Sequence, residues 1–233
     1  MHKLTCNVQS SAEEKKWIFR LTSLLCSFMV WGFDISLATS KYWRLWEFNN
    51  KTIRFVYIGL WEACYYQEVN KSGLITKVPI HSAVNSNWTI SIEIEYAQGL
   101  ITLANFMQPV VLLFSSVAIM VCWIRAPYPD FVILYYNTSI LFMVLNIICT
   151  VMAVSWNHVV DLYGETTLDF PPMFPIKKDD LLRKQKTYVF PLGMLTAVLS
   201  TISITMLLYD MWLIKPKTRV KPMVAMKHLH QKT

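Results

Sequence analysis

Residues 131–156 read FVILYYNTSILFMVLNIICTVMAVSW, 26 residues without one charged side chain. A helix crosses the bilayer's hydrocarbon core with about 20 mostly apolar residues, and at about 1.5 Å per residue this one would reach about 39 Å. The stretch is read as a membrane span with length to spare for tilt or for an end that projects into water. Three more stretches read the same way, 17–38, 99–124 and 188–213, and no fifth is long enough. Trp17, Trp123, Trp156 and Trp212 stand at their ends, the depth at which aromatic rings collect. Over the whole chain of 233 residues, 54% are apolar and only 16% charged, against about 25% charged in a soluble domain. That balance excludes a disordered chain and an ordinary soluble enzyme.

Orientation follows from the basic residues near the span ends. Residues 214–233 carry Lys215, Lys217, Arg219, Lys221, Lys227 and Lys232 and no acid, so this end is expected in the cytosol, and four spans bring the N-terminal end there too. The expected order is a cytosolic tail 1–16, span 17–38, outer loop 39–98, span 99–124, cytosolic loop 125–130, span 131–156, outer loop 157–187, span 188–213 and basic tail 214–233. Three glycosylation sequons, at Asn50, Asn70 and Asn87, fall in the first outer loop, where such sites can be used. An alternative reading of the first span is a signal peptide cut after Ala38.

Within the first outer loop, Phe55 to Tyr66 is rich in aromatic and β-branched residues, and Trp88, Ile90, Ile92, Ile94 and Tyr96 alternate with polar neighbours. Both read as strands, with Gly73 marking a turn between them. The fold class is therefore a mainly α membrane protein, a four-helix transmembrane bundle with a small extracellular antiparallel β-sheet formed by the first loop.

Catalytic chemistry is hard to find in this sequence. There is no phosphate-binding loop, dinucleotide fingerprint or zinc-protease motif, and the five cysteines are too scattered for a disulfide scaffold. Cys64 alone falls in an outer loop. Arg20, Asp34 and Asp210 lie near span ends and read as snorkelling anchors, while Asn105, Gln108, Asn137 and Asn146 suit hydrogen bonds between helices. His228 and His230 on the basic tail make a poor metal site. No catalytic, cofactor or metal site is expected, and the net charge of +7 reads as topology rather than nucleic-acid binding.

One set of spacings carries more. Trp43 is followed by Gly59, Leu60, Trp61 and, three residues on, Cys64. This resembles the first-loop signature of the claudin family, four-span proteins of tight junctions. Val154, Ser155 and Trp156, followed by Asp161 and Tyr163, are similar to that family's segment at the outer end of the third span, and residues 169–175 resemble the second loop of its divergent members. The resemblance implies a third helix continuing beyond the membrane, and first-loop signature residues that pack the sheet onto the bundle. It also implies a structural role in cell–cell adhesion and paracellular barrier formation at the plasma membrane, with copies of this chain or other claudins as partners in cis and in trans.

Departures from the family pattern qualify what is implied. The second loop cysteine is missing, with Gly73, Leu74 and Ile75 where it would lie, which removes a bridge worth about 2 to 4 kcal/mol. The terminal Thr233 offers no hydrophobic anchor, so no PDZ scaffold is expected. Only 6 glycines occur, leaving Ser, Thr and Ala to provide close helix contacts. The alternative function is an auxiliary subunit of a channel or receptor in the wider claudin-like superfamily. The first loop holds six basic residues, Lys41, Arg44, Lys51, Arg54, Lys71 and Lys77, against the acids Glu47, Glu62, Glu68, Glu93 and Glu95. That near balance predicts no strong ion preference.

Overall fold

A computed structural model describes residues 2–50, 52–71, 74–85, 87–124 and 128–218. Its elements are α1 (His2–Thr39), β1 (Arg44–Phe48), β2 (Phe55–Ile58), β3 (Glu62–Lys71), β4 (Leu74–Ala83), α2 (Ile92–Trp123), α3 (Pro129–Tyr163), β5 (Leu181–Gln185) and α4 (Val189–Thr218). Each helix contains a segment long and apolar enough to cross a membrane: Lys16–Thr39, Ile92–Trp123, Pro129–Tyr163 and Val189–Ile214. The described residues therefore hold the four candidate spans of a multi-pass membrane protein. Ile18, Leu25, Phe28, Phe106, Leu113, Leu134 and Leu141 all stay more than half exposed on these helices. A water-soluble chain rarely leaves that much apolar surface uncovered.

The helix limits have local causes. Pro129 opens α3 at the position where its missing N–H costs nothing, and Gly164 follows its end, its N–H donating to the carbonyl of Val160 at 3.1 Å. The helix thus continues past residue 156, as the resemblance implied. α2 begins at Ile92 rather than at residue 99. The alternation from Trp88 to Tyr96, read as a strand, gives way to a helix in which Ile94, Ala97, Ile101 and Ala104 are buried at helical spacing. Glu93 and Glu95 sit in its first turn, where the helix dipole favours carboxylates. A few alternating residues run straight into a longer helical periodicity, and the longer one prevails.

The sheet also differs from its expected form. Its five antiparallel strands run in the order β4-β3-β2-β1-β5, and β5 comes from the second long loop. The first loop therefore does not build the sheet alone. β3 and β4 pair from Glu62↔Ala83 to Lys71↔Leu74; Gly73 itself lies outside the described residues. Leu74, read as near the position of a bridge partner for Cys64, pairs with Lys71, and the residue opposite Cys64 is His81.

Two compact units make up the chain, each drawing on all four helices. The sheet unit comprises Gly32–Phe106 and Asn146–Ala197. Its core contains Trp43, Trp46, Phe48, Val56, Ile58, Leu60, Trp88 and Phe170. Phe170 and Phe174 stack at 4.5 Å, and the Trp88 ring meets each of them edge-on at 5.4 Å. That aromatic cluster fastens residues 169–175 to the first loop, and a two-way backbone bridge between Thr89 and Asp169 reinforces it. Gly193 of α4 is a close-approach position, because a Cβ there would meet the Val154 side chain of α3 at 2.7 Å.

The helical unit takes α1 up to Trp31, Met107–Leu145 and the chain from Val198. Val111, Val132, Tyr136, Met143 and Leu207 form its apolar core. Serines make its close contacts: the Ser203 hydroxyl lies 2.8 Å from that of Ser23 and 2.9 Å from that of Ser27, and Ser115 bonds Ser139 at 3.2 Å. Gln108 donates to the Ser27 carbonyl at 3.1 Å. With few glycines, hydroxyls let these helices approach while satisfying their own polar atoms.

Arg20, Asp34 and Asp210 do not snorkel. Arg20 donates to both Asp210 oxygens, at 2.7 and 3.1 Å, and Tyr136 donates to the same carboxylate at 2.9 Å. In the sheet unit Asp34 is fully buried and accepts from Asn146 at 2.7 Å and Thr150 at 3.4 Å. A buried carboxyl or guanidinium is too costly to leave without hydrogen-bond partners, and sequence position near a span end could not reveal these partners.

Candidate functional site

The loop signature meets the helices of the sheet unit around Arg44. In β1 the side chains of Arg44, Trp46 and Phe48 share one face by the two-residue repeat of a strand. Arg44 has no exposed surface. Its guanidinium donates to Thr166 Oγ1 at 2.8 Å, Glu93 Oε1 at 2.7 Å and Asn157 Oδ1 at 3.1 Å, while its Nε lies 3.8 Å from Asp161 Oδ1. Thr166 donates onward to Glu93 at 2.6 Å, Asn157 to the Glu93 carbonyl at 2.8 Å, and Trp46 Nε1 to Asp161 at 2.9 Å. One strand, the first turn of α2, the last turns of α3 and the loop after it are thereby joined by a single buried cation.

Glu47 organises the other face of β1 in the same manner. It accepts from Arg54 on the β1–β2 side and from Arg183 and Gln185 on β5. Hydrogen bonds from Arg183 first, and from Arg54 next, hold its carboxyl below the ordinary carboxylate range. β5 is thus bound to β1 by charge as well as by its backbone ladder.

Most signature residues have structural work. Trp43 is buried and donates from Nε1 to the Leu37 carbonyl at 2.9 Å, pinning the strand entry to the end of α1. Gly59 is required by space, since a Cβ there would lie 2.6 Å from the Ser40 carbonyl oxygen. Leu60 is fully buried, and its carbonyl accepts from Gln98 of α2 at 2.6 Å. Trp61 departs from its expected packing role: it is 49% exposed at the β2–β3 turn. Cys64 is a buried free thiol, pushed up in pKa by burial, and therefore stays protonated and inert near neutral pH.

In the third-helix motif, Val154 and Asp161 are buried, whereas Trp156 is 40% and Tyr163 75% exposed. Ser155 is half-buried beside them. Of the sequons, Asn87 is exposed and Asn50 half-buried, its side-chain oxygen accepting from the Thr52 and Ile53 amides. The side chain of Asn70 lies outside the described residues. Among the described residues no cluster of His, Cys, Asp and Glu is arranged to hold a metal ion.

Nothing in the local sequence marks Glu93, Asn157 and Thr166 as parts of one site, and Arg44 on its own reads only as loop charge. Its neighbours carry a usable signal. Arg44 alternates with Leu45 between Trp43 and Trp46 in a strand, so its side chain belongs to a face made of tryptophan and phenylalanine. No protein-family model matches the chain, and no curated protein matches its sequence.

Proposed function

We propose that this chain is a claudin-like structural membrane protein, a divergent member most similar to claudin-34, that acts at plasma-membrane contacts between cells in adhesion and barrier formation. Both termini are cytosolic in this reading, the sheet is extracellular, and the sequons Asn50, Asn70 and Asn87 face the side where glycans are added. The protein is not an enzyme; its partners are copies of itself or other claudins.

The observation that carries the reading is the buried Arg44 clamp beneath the five-stranded sheet. An adhesive surface must hold its shape without a partner, and a buried network of hydrogen bonds and ion pairs around Arg44 supplies that order where the family's disulfide is lacking. Trp43, Gly59 and Leu60, the residues of the resemblance, pack at the root of that platform. Several loop charges are paired within the protein, Arg44 with Glu93 and Glu47 with Arg54 and Arg183, which favours a barrier over a strongly selective pore.

Freeze-fracture imaging of non-junctional cells expressing the chain alone tests this. Continuous intramembrane strands are the expected result. Diffuse particles, together with co-purification of a larger pore-forming protein, would replace this reading with the auxiliary-subunit one. A large cation-to-anion permeability ratio across expressing monolayers would overturn the barrier assignment.

A further inference from the structure

A groove of about 580 Å³ opens in the sheet unit beside the ends of α1 and α4. This is within the usual 300 to 1,000 Å³ of small-molecule sites. One wall is a run of tyrosine rings. Tyr42 meets Tyr57 edge-on at 5.1 Å and lies tilted against Tyr188 at 5.5 Å, and Tyr57 meets Tyr66 edge-on at 6.2 Å. Three of the four, Tyr42, Tyr66 and Tyr188, are 40 to 50% exposed, so a continuous aromatic surface is left uncovered.

The opposite chemistry stands next to it. Lys41 and His81 also line the groove. Lys41 Nζ lies 2.9 Å from Glu62 Oε1 and 3.3 Å from His81 Nδ1. An ammonium has three N–H donors; Glu62 takes one and His81 at most a second, so at least one remains for an incoming acceptor. The bond to Glu62 raises the Lys41 pKa and keeps it charged.

Position narrows the class of ligand. Thr39 ends the first candidate span, and Tyr188 immediately precedes the fourth, Val189–Ile214; both line the groove. Residues at span ends lie at the level of lipid head groups. From aromatic faces beside a cation, at that depth, we propose that the groove binds the phosphocholine head group of a membrane lipid, its trimethylammonium against the tyrosine wall and its phosphate at Lys41. The methylated ammonium carries no N–H and suits π faces, whereas a primary ammonium is drawn from the ring faces toward oxygen acceptors such as the hydroxyls of Ser36, Thr39 and Ser40 at the groove's edge. This assignment is independent of the junctional reading.

Native mass spectrometry of the full chain released from nanodiscs tests it, using equal parts of phosphatidylcholine, phosphatidylethanolamine and phosphatidylglycerol with identical acyl chains. The expected result is at least a threefold excess of bound phosphatidylcholine over phosphatidylethanolamine, which differ at the ammonium alone. Replacing Tyr42→Leu and Tyr57→Leu together should bring the two to parity, while Tyr42→Phe with Tyr57→Phe keeps the ring faces and the preference. Lys41→Gln should lower retention of phosphatidylcholine several-fold.

Equal retention of the two lipids by the unsubstituted chain overturns the proposal, and so does a preference that survives loss of the rings. Preferential retention of phosphatidylglycerol that vanishes in Lys41→Gln reduces the site to a basic patch and also overturns it. Soluble phosphocholine that binds the chain in maltoside micelles without any lipid preference in nanodiscs would make the free ester the ligand and sink the lipid assignment. Should the leucine pair not fold, the unsubstituted chain and the phenylalanine pair still decide between these outcomes.

Discussion

Arg44 and Arg20 are both guanidiniums withdrawn from water and facing carboxylates, yet the sheet unit and the helical unit use them differently. Arg44 is fully enclosed and joins β1 to Glu93, Asn157, Asp161 and Thr166, which come from separate parts of the chain. Arg20 keeps 11% of its side chain exposed and is bonded to one carboxylate, Asp210, with the Trp17 ring 5.4 Å from its guanidinium carbon. Arg44 has no route to water if its partners are lost. Arg20 sits near the start of its candidate span, where its long side chain, held on Asp210 in the fold, would be free to extend to the interface once that partner is lost. The same ion-pair chemistry therefore serves as a clamp between elements in one unit and as a local tie between helices in the other.

Removing each cation's partner, or the cation itself, separates the two roles. Arg44→Ala leaves Glu93 and Asp161 buried without compensation, and is expected to destabilise the sheet unit by about 3 to 5 kcal/mol. The check is thermal unfolding in micelles followed by circular dichroism, with loss of protease resistance confined to residues 40–100 and 160–190. A melting curve equal to that of the unsubstituted chain would show that Arg44 is no clamp.

The register of the sheet supplies a second test, because His81 stands opposite Cys64. His81→Cys should form an intramolecular bridge in an oxidising medium, stabilising the fold by about 2 to 4 kcal/mol. A mass decrease of two hydrogens and a melting temperature that falls on reduction would establish it. Leu74→Cys should form none. A bridge from position 74 would mean that the β3–β4 register is displaced.

Asp210→Asn is expected to cost less than loss of Arg44, about 1 to 3 kcal/mol, since Tyr136 keeps a hydrogen-bond acceptor in the asparagine oxygen. Its readout is the unfolding midpoint in micelles with the sheet unit's protease resistance intact. If this substitution costs as much as Arg44→Ala, the distinction between clamp and local tie fails.

The smallest effect concerns Glu47 and pH. Its folded carboxyl titrates below its unfolded value because Arg183, then Arg54, bonds the charged form. It therefore contributes stability above the unfolded carboxylate range, and that contribution is lost as pH falls through the folded value. Amide exchange in Leu181–Gln185 should accelerate on acidification, before the helices respond. In Glu47→Gln the exchange rate of this strand should lose most of that acid dependence.

Much of the helical architecture was legible because span length and apolar continuity are local properties. Asn146 and Gln108 were recognised as interhelical groups for a similar reason: an amide within an apolar helix needs a partner. The start of α2 was misread because alternation from Trp88 to Tyr96 satisfies a strand pattern until the buried series Ile94, Ala97, Ile101 and Ala104 is seen. β5 was missed because Leu181–Gln185 reads LLRKQ, too polar and too short to announce pairing with a strand more than a hundred residues away. Trp61 illustrates the reverse case, a motif residue whose spacing suggested burial and whose side chain is half exposed.

The sequence by itself determined that four long apolar helices exist, that the stretch between the first two folds into strands, and that polar chemistry within the spans is sparse. Those conclusions follow from composition and period along contiguous residues. Only the tertiary structure decided where each charge goes: Arg44 beneath the sheet, Glu47 between β2 and β5, Arg20 on Asp210. Pairing of buried charges depends on which distant segments meet in three dimensions, and a charged residue carries no local mark that says whether it will face water or a partner.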